Sequence, residues 1–442
     1  MSHLEQEALQ RILSGEGGSF EAEDAAEHLL VCDRCRAVAG TLRERLRAES
    51  HPKLQERGLL QVVFDLFDRE RQSGMDLLTA MAERAEVRRL PNRRSQRDRV
   101  RMAKACHTTA FLKILLGELK EQINGEAEFL ASLAFLTIEG MHQRQKTTLR
   151  ASHDLQAEVW TAVANARRRA AEWRRAHQAL DNAERHLKEG TGDRRLKAGL
   201  LSITASTLAD EGHVFQALDV LEKCKVICQG LDDWELLART LVQAANALAG
   251  TEPAKGLAAL DQAAPLIPAD DFYLLLLAEL LRVECLLEVG KPLEALPVYR
   301  RCVRLLLQGN PGPRMQIRGK FTGARLLDAL GSKQPAERLF DEVVDQDIEH
   351  ELYKDAYLDL LYLYEHHMKA DDLEKAARVC RRALSDPALA NVAHEQLQAL
   401  WMLLLEAVAL HPISQELLSG LRQYVNVHWK HPAATPPWVN FR

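Results

Sequence analysis

The strongest constraint on this chain is a pattern that returns about every 40 residues from residue 156 onward. Apolar and small residues recur at fixed offsets. The first unit carries Trp160, Ala164, Ala176, Leu180 and Ala183, and the second Leu201, Ala205, Gly212, Ala217, Leu221 and Cys224. A third has Ala244, Ala247, Gly256, Leu260, Ala263 and Pro268, and a fourth Leu286, Gly290, Ala295, Tyr299 and Cys302. The last two show Ala324, Leu327, Gly331, Ala336, Phe340 and Val343, then Leu360, Tyr364, Ala376, Cys380 and Ala383. Unit starts fall 39 to 42 residues apart. Small residues at fixed places mark points where two helices cross too closely for a large side chain. A unit of this size buries its apolar face only against its neighbours, so several must stack. The expectation is an all-α fold of stacked helix–turn–helix units.

These offsets resemble the tetratricopeptide repeat, which asks for a bulky residue, a small one, a turn glycine, an alanine at the crossing and an aromatic or leucine one turn later. The stretches EVGKPLEALPVYRRCV (288–303) and ALGSKQPAERLFDEVV (329–344) carry the turn and second helix closely. Three departures stand out. The period exceeds that family's about 34 residues, Val283 occupies the small position of the fourth unit, and the closing proline is mostly missing. Longer helices account for the longer period. The resemblance implies a TPR-like solenoid over 108–390, whose earliest part begins near Thr108 with AFLKILLGEL and EAEFLASLAFL. Residues 391–442 are expected to cap it with helices at about 391–410 and 413–429. The final stretch cannot stay helical through Pro432, Pro436 and Pro437. Its Trp438 and Phe441 suggest docking on the solenoid or on a partner.

The front of the chain has another character. AEHLLVCDRCRAV (26–38) sets His28, Cys32 and Cys35 at an H-x3-C-x2-C spacing. Four residues apart, His28 and Cys32 share a helical face, and Cys35 continues it. A structural zinc ion wants four nitrogen or sulfur ligands in a tetrahedron. The nearby donors for the fourth position are His3 and His51. His3 lies on a helix expected at 2–14, before the Gly15–Gly18 break, and a hairpin would bring it back to the His28 face. The arrangement resembles the bacterial zinc-binding anti-sigma domain, whose signature is H-x3-C-x2-C on one helix plus a ligand from the helix before. In that resemblance the metal ligands are His3, His28, Cys32 and Cys35, and the following CRAVAGTLRERL (35–46) matches the family's amphipathic helix. The match covers about the first 50 residues. A closed four-ligand site implies a structural Zn2+ that staples a segment too small to bury a core of its own.

Residues 51–107 connect the two parts. LLQVVFDLFDRERQSGMDLLTAMAERAEV (59–87) reads as one or two amphipathic helices. Residues 84–104 then carry nine Arg or Lys against Glu86 and Asp98, which is expected to be a solvated linker and helix start. It lacks the interleaved aromatics that stack bases. With a formal charge of -5, nucleic acid is not the expected partner.

Eight cysteines scattered over 442 residues do not make a disulfide framework, and point to a reducing, cytoplasmic setting. No basic-then-apolar leader opens the chain. The longest apolar runs, 272–281 and 400–410, are interrupted by Glu279 and Glu406 and fall short of the about 20 residues of a membrane span. Cys224, Cys302 and Cys380 fall on repeat core positions, where cysteine acts as a small hydrophobe. The pair Cys224 and Cys228, without a nearby histidine, is weak metal evidence. Neither a phosphate loop nor a nucleophile elbow nor a zinc-protease motif occurs. Cys106 and His107 are sequence neighbours whose side chains diverge on a helix. Glu365, His366 and His367 end a repeat's first helix and are expected on the surface. No catalytic or cofactor-binding residue is expected. What the two resemblances imply together is a non-enzymatic interaction regulator. The head would hold a sigma factor, and the solenoid a second protein or peptide. The alternative is a scaffold whose zinc head is purely structural.

Overall fold

The computed structural model describes residues 6–13, 28, 35, 38, 39, 41, 42, 75–121, 126–309, 311–408 and 415–429. Among them every regular element is helical and there is no strand. The chain divides into two compact units, one of residues 1–117 with 136–143 and one of 118–135 with 144–442. No helix among the described residues is long and apolar enough to cross a membrane.

In the first unit, the helix Gln6–Leu13 falls within the helix expected at the start. A helix over 75–89 and the helix Arg93–Met102 follow, joined by a turn at 90–92. The turn exists because Asn92 caps the second helix, its side chain accepting from the Ser95 backbone N–H at 2.9 Å. The basic stretch is therefore mostly helix rather than linker. Arg84 is buried at 6% exposure, and Arg99 reaches Glu83 at 2.6 Å. The His107 ring meets the Val100 carbonyl oxygen at 2.9 Å. It fits because Gly140 faces it, where a Cβ would come within 2.3 Å of the ring. Burial pushes the Cys106 thiol up to about 12, so it stays protonated.

In the second unit the repeat resolves, among the described residues, into six helical hairpins. Their leading and trailing helices are Leu149–Arg169 with Trp173–Glu189, Arg194–Asp210 with Val214–Gln229, and Trp234–Leu248 with Pro253–Ala263. Phe272–Glu288 with Pro292–Gly309, Pro313–Ala329 with Lys333–Glu349, and Tyr353–Lys369 with Leu373–Ser385 complete the set. Asp193, Asp233 and Asp271 cap the leading helices of the second, third and fourth hairpins by accepting backbone N–H bonds.

Five of the six hairpins turn in one way. Ala171, Gly212, Gly290, Gly331 and Asp371 adopt φ of 54°, 82°, 73°, 79° and 56°. In each case the next residue's N–H bonds back five positions, from Glu172 to Arg167, His213 to Leu208, Lys291 to Leu286, Ser332 to Leu327 and Asp372 to His367, at 2.8–3.0 Å. This is the Schellman ending of a helix, in which one left-handed residue satisfies carbonyls that the helix leaves open. The third hairpin departs, turning without a left-handed residue. Its Gly256 lies inside the trailing helix, not at the turn that the sequence pattern suggested.

There Gly256 serves the crossing. The fourth residue of each trailing helix is Ala176, Ala217, Gly256, Ala295, Ala336 or Ala376, all buried. Four residues on come Leu180, Leu221, Leu260, Tyr299, Phe340 and Cys380, the bulkier layer that fills the space between hairpins. Leading helices of neighbouring hairpins pack on one another through the first five, while trailing helices pack mainly on leading ones. The leading helices thus form a continuous layer. The cap is also helical, as Glu395–Ala407 and Gln415–His428, and buries Trp401 against Tyr357 with ring centroids 6.3 Å apart.

Candidate functional site

Two of the four expected metal ligands lie within the described residues. His28 Nε2 stands 3.3 Å from Cys35 Sγ, with His28 half-buried and Cys35 at 2% exposure. Bonds of about 2.0–2.1 Å to nitrogen and about 2.3 Å to sulfur put the edge of a tetrahedral zinc site near 3.6 Å. The donor types and their separation fit that edge. They fit a hydrogen bond as well. His3 and Cys32 lie outside the described residues, as do His51 and the tail with Trp438 and Phe441.

The other site is on the leading-helix layer, and motif spacing did not reveal it. Arg318 in the fifth hairpin grips Glu284 in the fourth with two contacts of 2.9 and 3.1 Å. Its Nη2 also reaches the exposed amide of Asn246, in the third hairpin, at 3.4 Å. Thr322 donates to the same Glu284 at 3.2 Å. One turn along, Arg325 pairs with Glu288 at 2.5 Å and lies over the Tyr362 ring at 4.7 Å. Arg422, from the last helix, covers Tyr362 at 4.7 Å as well, and bonds to the buried Glu365. His366 donates from Nδ1 to Asp328 at 2.6 Å. Further toward the start, Gln243 bridges Ser202 at 2.9 Å and Ser206 at 3.4 Å, and Arg168 meets Asp210 at 2.5 Å.

The electrostatics follow from this pairing. Burial would push the Glu284 carboxyl up, but Arg318, Arg325 and the Thr322 hydroxyl outweigh it and hold the carboxyl below its ordinary range. Asp328 behaves likewise, with burial opposed by the hydrogen bond from His366. Burial would lower both guanidinium groups, but Glu284 holds Arg318, and Tyr362 with Glu288 and Glu284 holds Arg325, more firmly protonated than an isolated arginine. The strip is thus a row of matched charges with amide and hydroxyl groups between them.

Glu365, His366 and His367 are not on the surface as the sequence suggested. Their exposures are 5%, 3% and 4%. Glu365 pairs with Arg422 and His366 with Asp328, while His367 is buried on a helix that packs against Lys333–Glu349 and Leu373–Ser385. Burial brings the His367 imidazole down to about 4. His366, His367 and Glu337 lie within metal-binding reach of one another. However, the Lys375 ammonium sits on Glu337 at 2.8 Å, where it opposes a second cation, and Asp328 has taken one nitrogen of His366. The cluster is a hydrogen-bonded helix junction.

Sequence reasoning missed this strip although a signal was available. Its partners are separated by 34, 37, 38, 41 and 42 residues at Glu284–Arg318, Glu288–Arg325, Asp328–His366, Ser202–Gln243 and Arg168–Asp210. That is close to one repeat period, so complementary polar residues on equivalent leading-helix positions would have exposed it. The core cysteines are as expected. Cys224, Cys302 and Cys380 are fully buried, and burial pushes their thiols up to about 11, 12 and 12.

Neither a family model nor a curated protein sequence matches the chain. Two solved structures are similar in part. A crystal structure of a Rap protein complexed with competence and sporulation factor aligns at 15% identity and TM-score 0.48, covering 72% of this chain and 94% of its own. Aspartyl phosphate phosphatase F from Bacillus subtilis aligns at 12% identity and TM-score 0.45, covering 93% of this chain and 96% of its own.

Proposed function

We propose that this protein is a non-enzymatic, cytoplasmic regulator that works through protein–protein contacts, with the leading-helix face of its solenoid as a partner-binding surface. The observation that carries this reading is the polar strip running from Asn246 through Glu284, Arg318, Arg325 and Tyr362 to Arg422. Four leading helices and the last helix contribute to it, so a partner laid along it would touch several hairpins at once. Where a peptide's own polar groups take the place of a neighbour's, the partly exposed Arg318 and the exposed Asn246 exchange one hydrogen bond for another at little net cost.

The head carries the finer part of the proposal. A structural Zn2+ held by His3, His28, Cys32 and Cys35 would form an anti-sigma-like domain that sequesters a sigma factor while the solenoid binds a second protein or peptide. Supporting it are the H-x3-C-x2-C spacing and the approach of His28 to Cys35. The alternative is a scaffold with the same zinc head and no sigma factor.

The test is capture from the native cell with full-length protein, followed by mass spectrometry and in vitro transcription with each captured sigma factor. The proposal expects a sigma factor that a Cys32→Ser, Cys35→Ser variant loses. It also expects a second protein that an Asn246→Trp variant loses while keeping its helical content. Capture of a partner with no sigma factor and unchanged transcription leaves the scaffold reading. Capture indifferent to Asn246→Trp rejects the leading-helix face as the binding surface.

A further inference from the structure

The first hairpin carries a histidine–histidine–carboxylate cluster that the reading above leaves unused. His153 opens the second turn of the leading helix, and His186 and Glu189 lie in the last turn of the trailing helix. Spaced by three, His186 and Glu189 share a face. The antiparallel hairpin sets that face against His153. The two Nδ1 atoms stand 3.0 Å apart, and His153 Nε2 lies 3.4 Å from Glu189 Oε2. All three residues offer a ligand atom within 4.8 Å of the others.

We propose that this cluster binds a divalent transition-metal ion of the zinc class, with water completing the coordination. Metal–nitrogen bonds of about 2.0–2.1 Å place two imidazole nitrogens about 2.9 Å apart at a right angle and about 3.3 Å apart in a tetrahedron. The observed Nδ1–Nδ1 separation falls between these values, so each histidine would offer Nδ1 and the exposed Glu189, which now faces the other nitrogen of His153, would turn its carboxylate toward the ion. Two imidazoles with one carboxylate suit zinc, nickel or copper, whereas calcium and magnesium take oxygen donors. Three protein ligands leave coordination positions open, and Glu189, with a side-chain exposure of 55%, leaves the cluster accessible to an ion in solution.

The support beneath the cluster is firm. Asp154, next to His153, accepts from the Thr191 backbone N–H at 3.1 Å and from its hydroxyl at 2.6 Å. Gly190 lets that carboxylate approach, since a Cβ there would lie 2.0 Å from it. The end of the trailing helix is thus pinned to the start of the leading one independently of the metal, which keeps the three ligands in register. A bound ion would add a second clasp at this end of the hairpin.

The competing account is that one imidazole simply donates a hydrogen bond to the other. Full-length protein carrying Cys32→Ser and Cys35→Ser, which removes the thiolates of the head, is stripped with chelator and titrated calorimetrically with Zn2+. The proposal expects one equivalent bound, together with a rise in melting temperature. Co2+ in place of Zn2+ should give ligand-field absorption without a thiolate charge-transfer band. Adding His186→Ala should abolish uptake. Glu189→Gln should weaken it by at least about tenfold, a loss that even outer-shell changes can bring. His153→Asn, which keeps a hydrogen-bonding side chain, guards against misfolding and should also lose the ion while its metal-free melting stays near the parent's. No uptake by the thiolate-free protein, or uptake unchanged by the His153 and His186 variants, overturns the proposal.

Discussion

Arg318 and Glu284 meet fork to fork, Nε to Oε1 at 3.1 Å and Nη2 to Oε2 at 2.9 Å, and so tie the fifth hairpin to the fourth. Glu284 is only 13% exposed, so removing its partner strands a charge in poor solvent. Arg318→Ala is expected to cost about 2–3 kcal/mol in urea unfolding, short of the about 3–5 kcal/mol of a fully buried pair because Arg318 is partly exposed. The double variant Arg318→Met, Glu284→Leu should recover part of that loss. If the single and double variants unfold alike, the pair does not couple the hairpins.

Asp347 and Asp359 form the opposite case, two carboxyls in one buried place. Asp347 is 1% exposed, and its carboxyl meets that of Asp359, which can bond to it only when one of the two holds a proton. Burial, ahead of neighbouring charge, pushes it up to about 7, and burial with the charge of Asp347 pushes Asp359 well above its ordinary value. An unfolded aspartate titrates near about 3.9, so the folded state holds the proton more tightly. The stabilising contribution is therefore complete below about pH 4 and is lost as pH rises through about 7. Asp347→Asn should be more stable than the parent at pH 8, by on the order of 2 kcal/mol, and should flatten the fall in stability between pH 5 and 8. Thermal melts of both proteins at the two pH values decide it.

Tyr362 lies between two guanidinium groups, Arg325 and Arg422, each 4.7 Å from its ring centre. Each such contact is worth about 0.5–1 kcal/mol when exposed and more when water is excluded. Tyr362→Leu should lower stability by about 1–2 kcal/mol. Tyr362→Phe, which keeps the ring, should lose far less. Equal losses in chemical denaturation would assign the effect to the hydroxyl instead.

Gly256 stands where the other five hairpins have alanine, and its surroundings explain why. An added Cβ would meet Cys285 Sγ at 3.0 Å and the Ala245 carbonyl at 3.4 Å. Alanine in a helix ordinarily gains about 0.5–1 kcal/mol over glycine. Here the clash should cancel that gain, leaving Gly256→Ala neutral or slightly destabilised. In a Cys285→Ala background the same change should stabilise. A double-mutant cycle with no coupling would show that the thiol is not what excludes the methyl group.

The stacking of hairpins was legible because it depends on side-chain size. Ala176, Ala217, Ala295, Ala336 and Ala376 had to be small wherever they stood in a crossing, and they repeat visibly. The turns were half legible. Gly212, Gly290 and Gly331 announce a left-handed residue, but Ala171 and Asp371 take the same conformation with no such marker. The burial of Glu365, His366 and His367 was hidden because their partners come from other elements: Arg422 and Asp328 stand far off in the chain. Charged residues closing a helix look solvated until those partners are placed. At the head, spacing and resemblance named His28 and Cys35 as ligands, and their 3.3 Å separation suits a hydrogen bond as well as a metal.

The buried thiols give this solenoid a set of internal clocks. Cys224 and Cys228 mark the second hairpin, Cys285 and Cys302 the fourth, and Cys380 the sixth, all at 0% exposure. Burial holds the thiols of Cys224, Cys285, Cys302 and Cys380 up at about 11 to 12, so in the closed state they present almost no thiolate to an alkylating reagent. Alkylation at each must wait for its own hairpin to open, and its rate reports that opening. Peptide mapping after timed labelling would read the opening of separate hairpins along one chain, with no probe introduced. A partner seated across the leading helices would slow the clocks of the hairpins it spans and leave the others running.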